Sequence, residues 1–542
     1  LISYFEKAGP QSTANAKKID VDPTWPPGKR ANFRIVHRLK DGIQNDVVSA
    51  IADKLNKTDL IQNNDGLLSL DLPKDVTHPG AIKTLNEDLL PAMKEVGDKF
   101  GSGELILPFV LKSAECMKAS VGELEKYLVK EEGTSKGTLV LGTVYGDVHD
   151  IGKNLVKTIF QNNGYSVYDL GKQVPLQKFL EKIDEVKPDA IGLSALLVST
   201  SKQMKFFVEH ARKNNMTVPI LCGGAAINSN YINRIAKEGG IYDPGVFYCN
   251  TMFEGLKTMD TLISDDKPKL LEEWKTKLEN WKERTNTPVD PSTLPRSNVQ
   301  TVDPPTPKII GEPIRLKLDQ INMGEVWTMI DKKSLFKLSW GLRGKAGAES
   351  EEEHEQLLTE WKIRIIRDKL IEPEVVYGYF KCHNAGQKLL VENPSGDDVE
   401  FDFPRSTKPE HLCLTDYFGT DDVVAFQSVT VGTKVSDVLE TWNDEDKYTD
   451  AYYLHGLAVE LAEALAQWIN QKIKSELNLV KGALRYSWGF PSCPDVSQHH
   501  LVWKLLEPEK SGMTLTESGQ IIPEQSTAAI VIHHPDAKYF VI

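Results

Sequence analysis

Apolar residues recur at intervals of three and four from Asn32 onward: Ile35, Val36, Leu39, Ile43, Val47, Val48, Ile51 and Leu55. The same spacing returns in Leu89, Leu90, Met93, Val96 and Phe100, and in Leu107, Val110, Leu111, Ala114, Met117 and Val121. Such runs place their apolar members on one face of a 3.6-residue helix. They predict an all-α bundle of about four helices over residues 32–134, after a polar lead-in at 1–31. From 135 to 262 the period changes, and short apolar runs at 138–144, 165–170, 190–196, 218–222 and 245–249 alternate with helical stretches beginning near 153, 175, 201 and 227. That alternation predicts an α/β unit, a flavodoxin-like (Rossmann-like) parallel sheet. Residues 265–284 read as a charged surface helix, and Pro288, Pro291, Pro295, Pro304, Pro305 and Pro307 mark a semi-rigid linker, which sets a linker at 263–305. The remainder, 306–542, predicts α+β, with helices near 350–370 and 448–476 and short strands elsewhere.

The chemistry concentrates where the first strand of the α/β unit gives way to its first helix, in Gly146-Asp147-Val148-His149-Asp150-Ile151-Gly152. Open α/β sheets bind ligands outside the carboxyl ends of their strands. Alone, this run is a loop and a helix cap. Two further elements fall at predicted strand ends, Gly192-Leu193-Ser194-Ala195-Leu196 and Cys222-Gly223-Gly224. An exposed imidazole at His149 is a metal ligand by type, and Asp147 two residues earlier can accept from its other ring nitrogen, fixing tautomer and basicity. Gly152, Gly223 and Gly224 leave room for close approach, and Ser194 offers a hydroxyl.

Together the three elements resemble the D-x-H-x-x-G…S-x-L…G-G signature of cobalamin-binding domains that take the cofactor with its benzimidazole tail detached from cobalt. The resemblance implies His149 as lower cobalt ligand, Asp147 and a hydroxyl residue as its relay, and Gly152, Ser194, Leu196, Gly223 and Gly224 around the tail. By spacing the relay hydroxyl is Thr200, with Ser199 and Ser201 as competitors. The stretch from Met93 through Phe100-Gly-Ser-Gly to Leu107-Pro108 is similar to the cap module of cobalamin-dependent methionine synthases, which implies Phe100 and Leu107 over the upper cobalt face. By periodicity alone those two side chains are bundle core. Residues 306–542 resemble the S-adenosylmethionine-binding reactivation domain of the same family. Met329 to Phe336 with Trp340 to Lys345, Leu461-Ala-Glu463-Ala464, Arg485 to Pro494, Leu515 to Ser518 and His534 to Phe540 carry that resemblance. It implies Asp331, Glu463, Arg485, Gly489 and Phe490 as S-adenosyl-L-methionine contacts. An arginine fork suits a carboxylate, and acidic side chains suit an amine or sulfonium. The family's Tyr-Phe-Pro-Ala-Asn run, placed after a strand, is here Tyr379 to Asn384, and two family tyrosines are replaced by Phe490 and Val531.

The resemblance thus implies the C-terminal half of such an enzyme. This is a methyltransferase portion carrying methylcobalamin from methyltetrahydrofolate toward homocysteine and remethylated with S-adenosylmethionine, with an electron from a flavodoxin-type partner. Zinc would belong only to the homocysteine module, which this stretch lacks, as it lacks the folate module. Two other classes fit parts of the chain: a stand-alone corrinoid carrier, which residues 306–542 argue against, and a cobalamin-based sensor, for which no DNA-binding or kinase module is present. The 542 residues carry a net charge of −13, which disfavours nucleic acid as partner, and no apolar run approaches a membrane span. Six cysteines without C-x-x-C spacing predict reduced thiols, and a cytoplasmic location is expected. Leu1 is not an initiator methionine, which predicts a fragment or processed chain.

Overall fold

The computed structural model describes residues 20–58, 60–129, 135–225, 227–282, 293–342 and 351–542. It divides into two compact units, Leu1–Ser102 with Phe109–Thr134, and Gly103–Pro108 with Ser135–Ile542.

The first unit is helical. Helices Pro27–His37 and Ile43–Lys54 are followed by Lys74–Thr84 and Leu90–Gly101, which a five-residue π turn at Leu85–Leu89 joins into one long stretch. Helix Leu107–Leu124 completes the set. The first helix begins inside the expected lead-in, because Pro27 occupies its opening turn, where a missing N–H and a fixed φ favour initiation. Its Arg30 and Arg34 grip the buried Asp46 of the next helix, Nε to carboxylate at 2.6 and 2.5 Å. Ile35, Val47, Val48, Ile51, Met93, Val96, Val110 and Leu111 are fully buried.

In the second unit, strands β1 (Thr138–Thr143), β2 (Ser166–Asp169), β3 (Ala190–Ser194), β4 (Ile220–Gly223) and β5 (Val246–Tyr248) form a parallel sheet in the order β2-β1-β3-β4-β5. Helices cover it, so the central strands are apolar throughout rather than alternating. Strand order reverses between β1 and β3, and that switch point is where such sheets open a ligand crevice. Helix Lys267–Asn280, expected on the surface of a linker, buries Leu278 in the core of this sheet, and its Trp274 Nε1 donates to the Val246 carbonyl at 3.1 Å.

Residues 293–542 are organised on an antiparallel sheet: β6 (Ile314–Leu316), β7 (Glu374–Ala385), β8 (Lys388–Val391), β9 (Val399–Asp402), β10 (Asp422–Thr430), β11 (Leu484–Ser487) and β12 (Ser526–Ile532). The order is β9-β8-β7-β10-β12-β11, with β6 on the remaining edge of β7. The long helix Tyr448–Glu476 packs one face through Leu461, Leu465 and Ile469. Helix His499–Leu506 closes the other, over Phe401, Phe426 and Trp488. The run Tyr379 to Asn384, expected after a strand, lies within the 12-residue β7. The extended segment before the domain is already anchored to it: Ser297 Oγ donates to Asp416 at 2.7 Å, and His534 Nε2 meets the Gln300 carbonyl at 2.7 Å. No helix among the described residues is long and apolar enough to cross a membrane.

Candidate functional site

β1 delivers the chain to a loop in which Gly146 turns with φ +79° and Asp147 is driven inward until it is fully buried. A buried carboxylate must be satisfied by donors, and Asp147 is. Its Oδ1 pairs with His149 Nδ1 at 2.8 Å and accepts from the His149 N–H at 3.1 Å. Its Oδ2 accepts from Thr200 Oγ1 at 2.6 Å and from the Leu196 N–H at 2.8 Å. Burial would raise the Asp147 carboxyl, but the hydrogen bonds from His149 and Thr200 outweigh it and hold it below the usual carboxylate range. Burial would likewise lower the His149 imidazole; the bond to Asp147 and the charge of Glu524 reverse that and raise it. With Nδ1 engaged, Nε2 is the nitrogen His149 has left to offer, the arrangement in which a carboxylate sets the tautomer of a metal-binding imidazole.

Of the three hydroxyls competing for the relay, Thr200 reaches Asp147, Ser201 donates instead to the Val198 carbonyl at 2.7 Å, and Ser199 is exposed. Asp147 thereby joins the loops after β1 and β3. Ser194 closes β3 half-buried, and Leu196, on the loop that follows, keeps an exposed side chain. Gly152 lies in the first turn of helix Ile151–Asn162, and a Cβ there would meet nothing within 4 Å. Gly223 ends β4. The close approach made by Gly224 is to protein: with φ +127°, a Cβ would stand 1.9 Å from the Ala195 carbonyl oxygen. Beneath the loop, the buried Lys153 ammonium pairs with Asp169 at 2.6 Å and fixes the helix start to β2. Phe100 and Leu107 are both half-buried, outside the fully buried core.

In the C-terminal domain the structure brings two of the expected residues together, since Arg485 Nη2 donates to Glu463 Oε2. Asp331 caps the turn Lys332–Ser334, accepting from the N–H groups of Lys333 and Ser334 at 3.0 and 3.2 Å. Glu460, which sequence reasoning passed over, bonds Ser339 at 2.9 Å; burial, with the charges of Asp331 and Glu463, raises its carboxyl. Gly489 (φ +95°) and the exposed Phe490 form the turn closed by Gly489 N–H to the Cys493 carbonyl at 2.7 Å. Val531 is buried on β12, opposite Arg485 and Ala425. Of the run from Trp340 to Lys345, residues 343–345 lie outside the described residues.

The C-terminal domain also meets the His149 loop directly, which sequence reasoning did not foresee. Tyr145 Oη donates to Glu517, Ser518 Oγ donates to the Gly146 carbonyl at 2.7 Å, and the Val148 N–H donates to Gln520 Oε1 at 2.9 Å. Near the imidazole stand Glu524 and His455, 3.7 Å apart. Buried His455, lowered by its burial, feels the charges of Glu524 and His149.

Three family models match the chain: a B12 binding domain at residues 34–125, a second B12 binding domain at 137–257, and the activation domain of vitamin B12 dependent methionine synthase at 322–542. The methionine synthase of Mycobacterium tuberculosis is 34% identical over 537 residues, covering 87% of this chain and 44% of that protein. That of Mycobacterium leprae is 34% identical over 544 residues, covering 87% of this chain and 45% of its own length. The chain therefore spans under half the length of these relatives. Among solved structures, the MetH reactivation domain bound to AdoHcy is 20% identical with a TM-score of 0.38, over 44% of this chain and 83% of that one.

Proposed function

Over its three matched domains this chain belongs with the cobalamin-binding and activation portion of methionine synthases, and from that premise we propose that it holds cobalamin at the β1–β3 switch point and presents it for methyl transfer. The observation that carries this reading is the His149–Asp147–Thr200 relay, assembled from two loops at the carboxyl edge of the sheet.

The residues present fit the cofactor. A neutral imidazole with one nitrogen fixed by a buried carboxylate is a suitable metal ligand. The open space at Gly152 lets a nucleotide tail pass where a side chain would stand. Bound there, cobalamin supplies a metal centre that accepts and releases a methyl group. The chain's part is to tune His149. Asp147 holds the proton on Nδ1 and leaves Nε2 as ligand; Thr200 and the Leu196 N–H hold Asp147 ionised. Protonation of His149 at Nε2 withdraws the ligand, and the negative Glu524 favours that form, so the docked C-terminal domain biases the site toward release. Phe100 and Leu107, not fully buried in their own unit, are the side chains we assign to covering the cofactor's outer face.

For the C-terminal domain we propose S-adenosylmethionine as ligand, with the Arg485 fork facing the carboxylate and Asp331 and Glu463 facing the amine or sulfonium. The Arg485–Glu463 pair makes this a site in which the ligand carboxylate shares the guanidinium with Glu463. Methyltetrahydrofolate, homocysteine and a flavodoxin-type reductant are the proposed partners in the complete cycle, their modules lying on the same full-length chain or on separate ones. Titration of the purified chain with methylcobalamin, followed by absorbance after desalting, tests the central reading. Retention of about one equivalent per chain supports it, and loss of all colour in the wash overturns it.

A further inference from the structure

The turn at 516–520 is built rigidly before anything docks on it. Gly519, at φ +84°, packs so tightly that a Cβ would stand 2.4 Å from the Val496 carbonyl oxygen, and its own carbonyl meets His499 Nδ1 at 2.7 Å. Thr516 Oγ1 takes the Gln520 N–H at 3.0 Å and pairs with Ser518 Oγ at 2.9 Å, while Ser518 donates onward to the Gly146 carbonyl. Gln520 is 4% exposed. Its side-chain orientation is set by chemistry, because the Val148 N–H is a donor and the atom 2.9 Å away must be the carboxamide oxygen. The carboxamide nitrogen is then forced the other way, buried and without an acceptor among the described residues. A buried donor left unmade is costly and rare in a folded protein. This one belongs to a preorganised turn and lies one residue from His149.

We propose that Gln520 is a cobalamin-contacting residue supplied by the C-terminal domain. Its oxygen clamps the His149 loop at Val148, and its nitrogen donates to a carboxamide oxygen of the cofactor, whose corrin rim carries several. One side chain would thus recognise loop and cofactor together, so that the C-terminal domain seats more firmly on a loaded sheet domain than on an empty one. The inference rests on the cobalamin reading above and assigns a second domain to the same site.

The test uses the full chain and methylcobalamin, with affinity read from the absorbance change and folding from the melting temperature. Gln520→Glu keeps an acceptor for Val148 and removes the donor; Gln520→Met removes both without adding charge, and serves if the glutamate variant fails to fold. Tyr145→Phe loosens the same docking contact and leaves Gln520 intact. Loss of one hydrogen bond predicts roughly three- to tenfold weaker binding in both Gln520 variants, with Tyr145→Phe close to the parent. Parent-like affinity in folded Gln520→Glu and Gln520→Met overturns the proposal, and so does an equal loss in Tyr145→Phe, which would make Gln520 a docking residue only. If the parent itself binds no methylcobalamin, the cobalamin reading has failed, and this inference with it.

Discussion

Replacing Asp147 by Asn removes one charge and almost no volume, so it isolates what the carboxylate does for His149. In the parent, Asp147 accepts from His149 Nδ1, Thr200 Oγ1 and two backbone N–H groups. An asparagine presents one oxygen and one NH2, so at least one of these donors faces another donor. A hydrogen bond to a charged group contributes roughly 1.5–3 kcal/mol, and each pKa unit corresponds to about 1.4 kcal/mol. Asp147→Asn should therefore bring the raised His149 pKa down by roughly one to two units. The stability effect has a defined pH window. A histidine raised in the folded state stabilises fully below its unfolded value near 6.5 and loses that contribution as pH climbs through the folded value. The lowered Asp147 contributes above about 3.9 and loses it as pH falls through its folded value. The cost of the substitution is thus largest between about pH 4 and 6.5 and shrinks on the alkaline side. Nuclear magnetic resonance of protein labelled with 15N-histidine, with the His149 signals identified by their absence in His149→Gln, reads the titration directly. A variant whose His149 titrates with the parent would refute the idea that Asp147 sets its basicity.

Three further outcomes follow from individual residues. Gly152→Ala meets open space inside a helix, so the empty chain should keep or gain stability by up to roughly 1 kcal/mol while cobalamin affinity falls; Gly224→Ala, facing the Ala195 carbonyl at 1.9 Å, should unfold the sheet edge with or without cofactor, both read by melting curves. His499, pushed down to about 4 by burial, is neutral when folded, so the unfolded chain binds the extra proton and stability should decline as pH drops from 6.5 toward 4; His499→Gln should flatten that slope in denaturant titrations. Calorimetric titration with S-adenosylmethionine should give heat that Arg485→Ala abolishes. With tyrosine hydroxyls absent at Phe490 and Val531, two hydrogen bonds of roughly 0.5–1.5 kcal/mol each are missing, and binding should be about ten- to a hundredfold weaker than in relatives that keep both.

What was readable in the chain and what was not have separate physical causes. The five parallel strands were legible because each is a short apolar run bounded by turn residues. Asp147, His149 and Thr200 lie on the ends of two of them, at places that strand order fixes. The choice of Thr200 over Ser199 and Ser201 needed the helix phase from Val198, which spacing alone does not supply. β7 and β10 were poorly legible because both faces of the sheet are covered. Asp422–Thr430 is buried at every position and shows no alternation. The helix Lys267–Asn280 read as solvated because only Leu278 of its 14 residues is fully buried. Gln520 was invisible in principle: its partner Val148 is 372 residues away, and a single glutamine in a turn has no pattern.

The central claim is that His149 is the nitrogen presented to the cofactor's metal. It is tested most directly by electron paramagnetic resonance of the chain loaded with cob(II)alamin, prepared once with natural histidine and once with 15N-histidine. An axial imidazole splits the cobalt lines into triplets with 14N and doublets with 15N, whereas the cofactor's own benzimidazole is untouched by labelled histidine. We expect the triplets to become doublets, and that change to vanish in His149→Gly with the cofactor still bound. Triplets that persist in the 15N-histidine protein, or splitting unaltered in His149→Gly, would contradict the account.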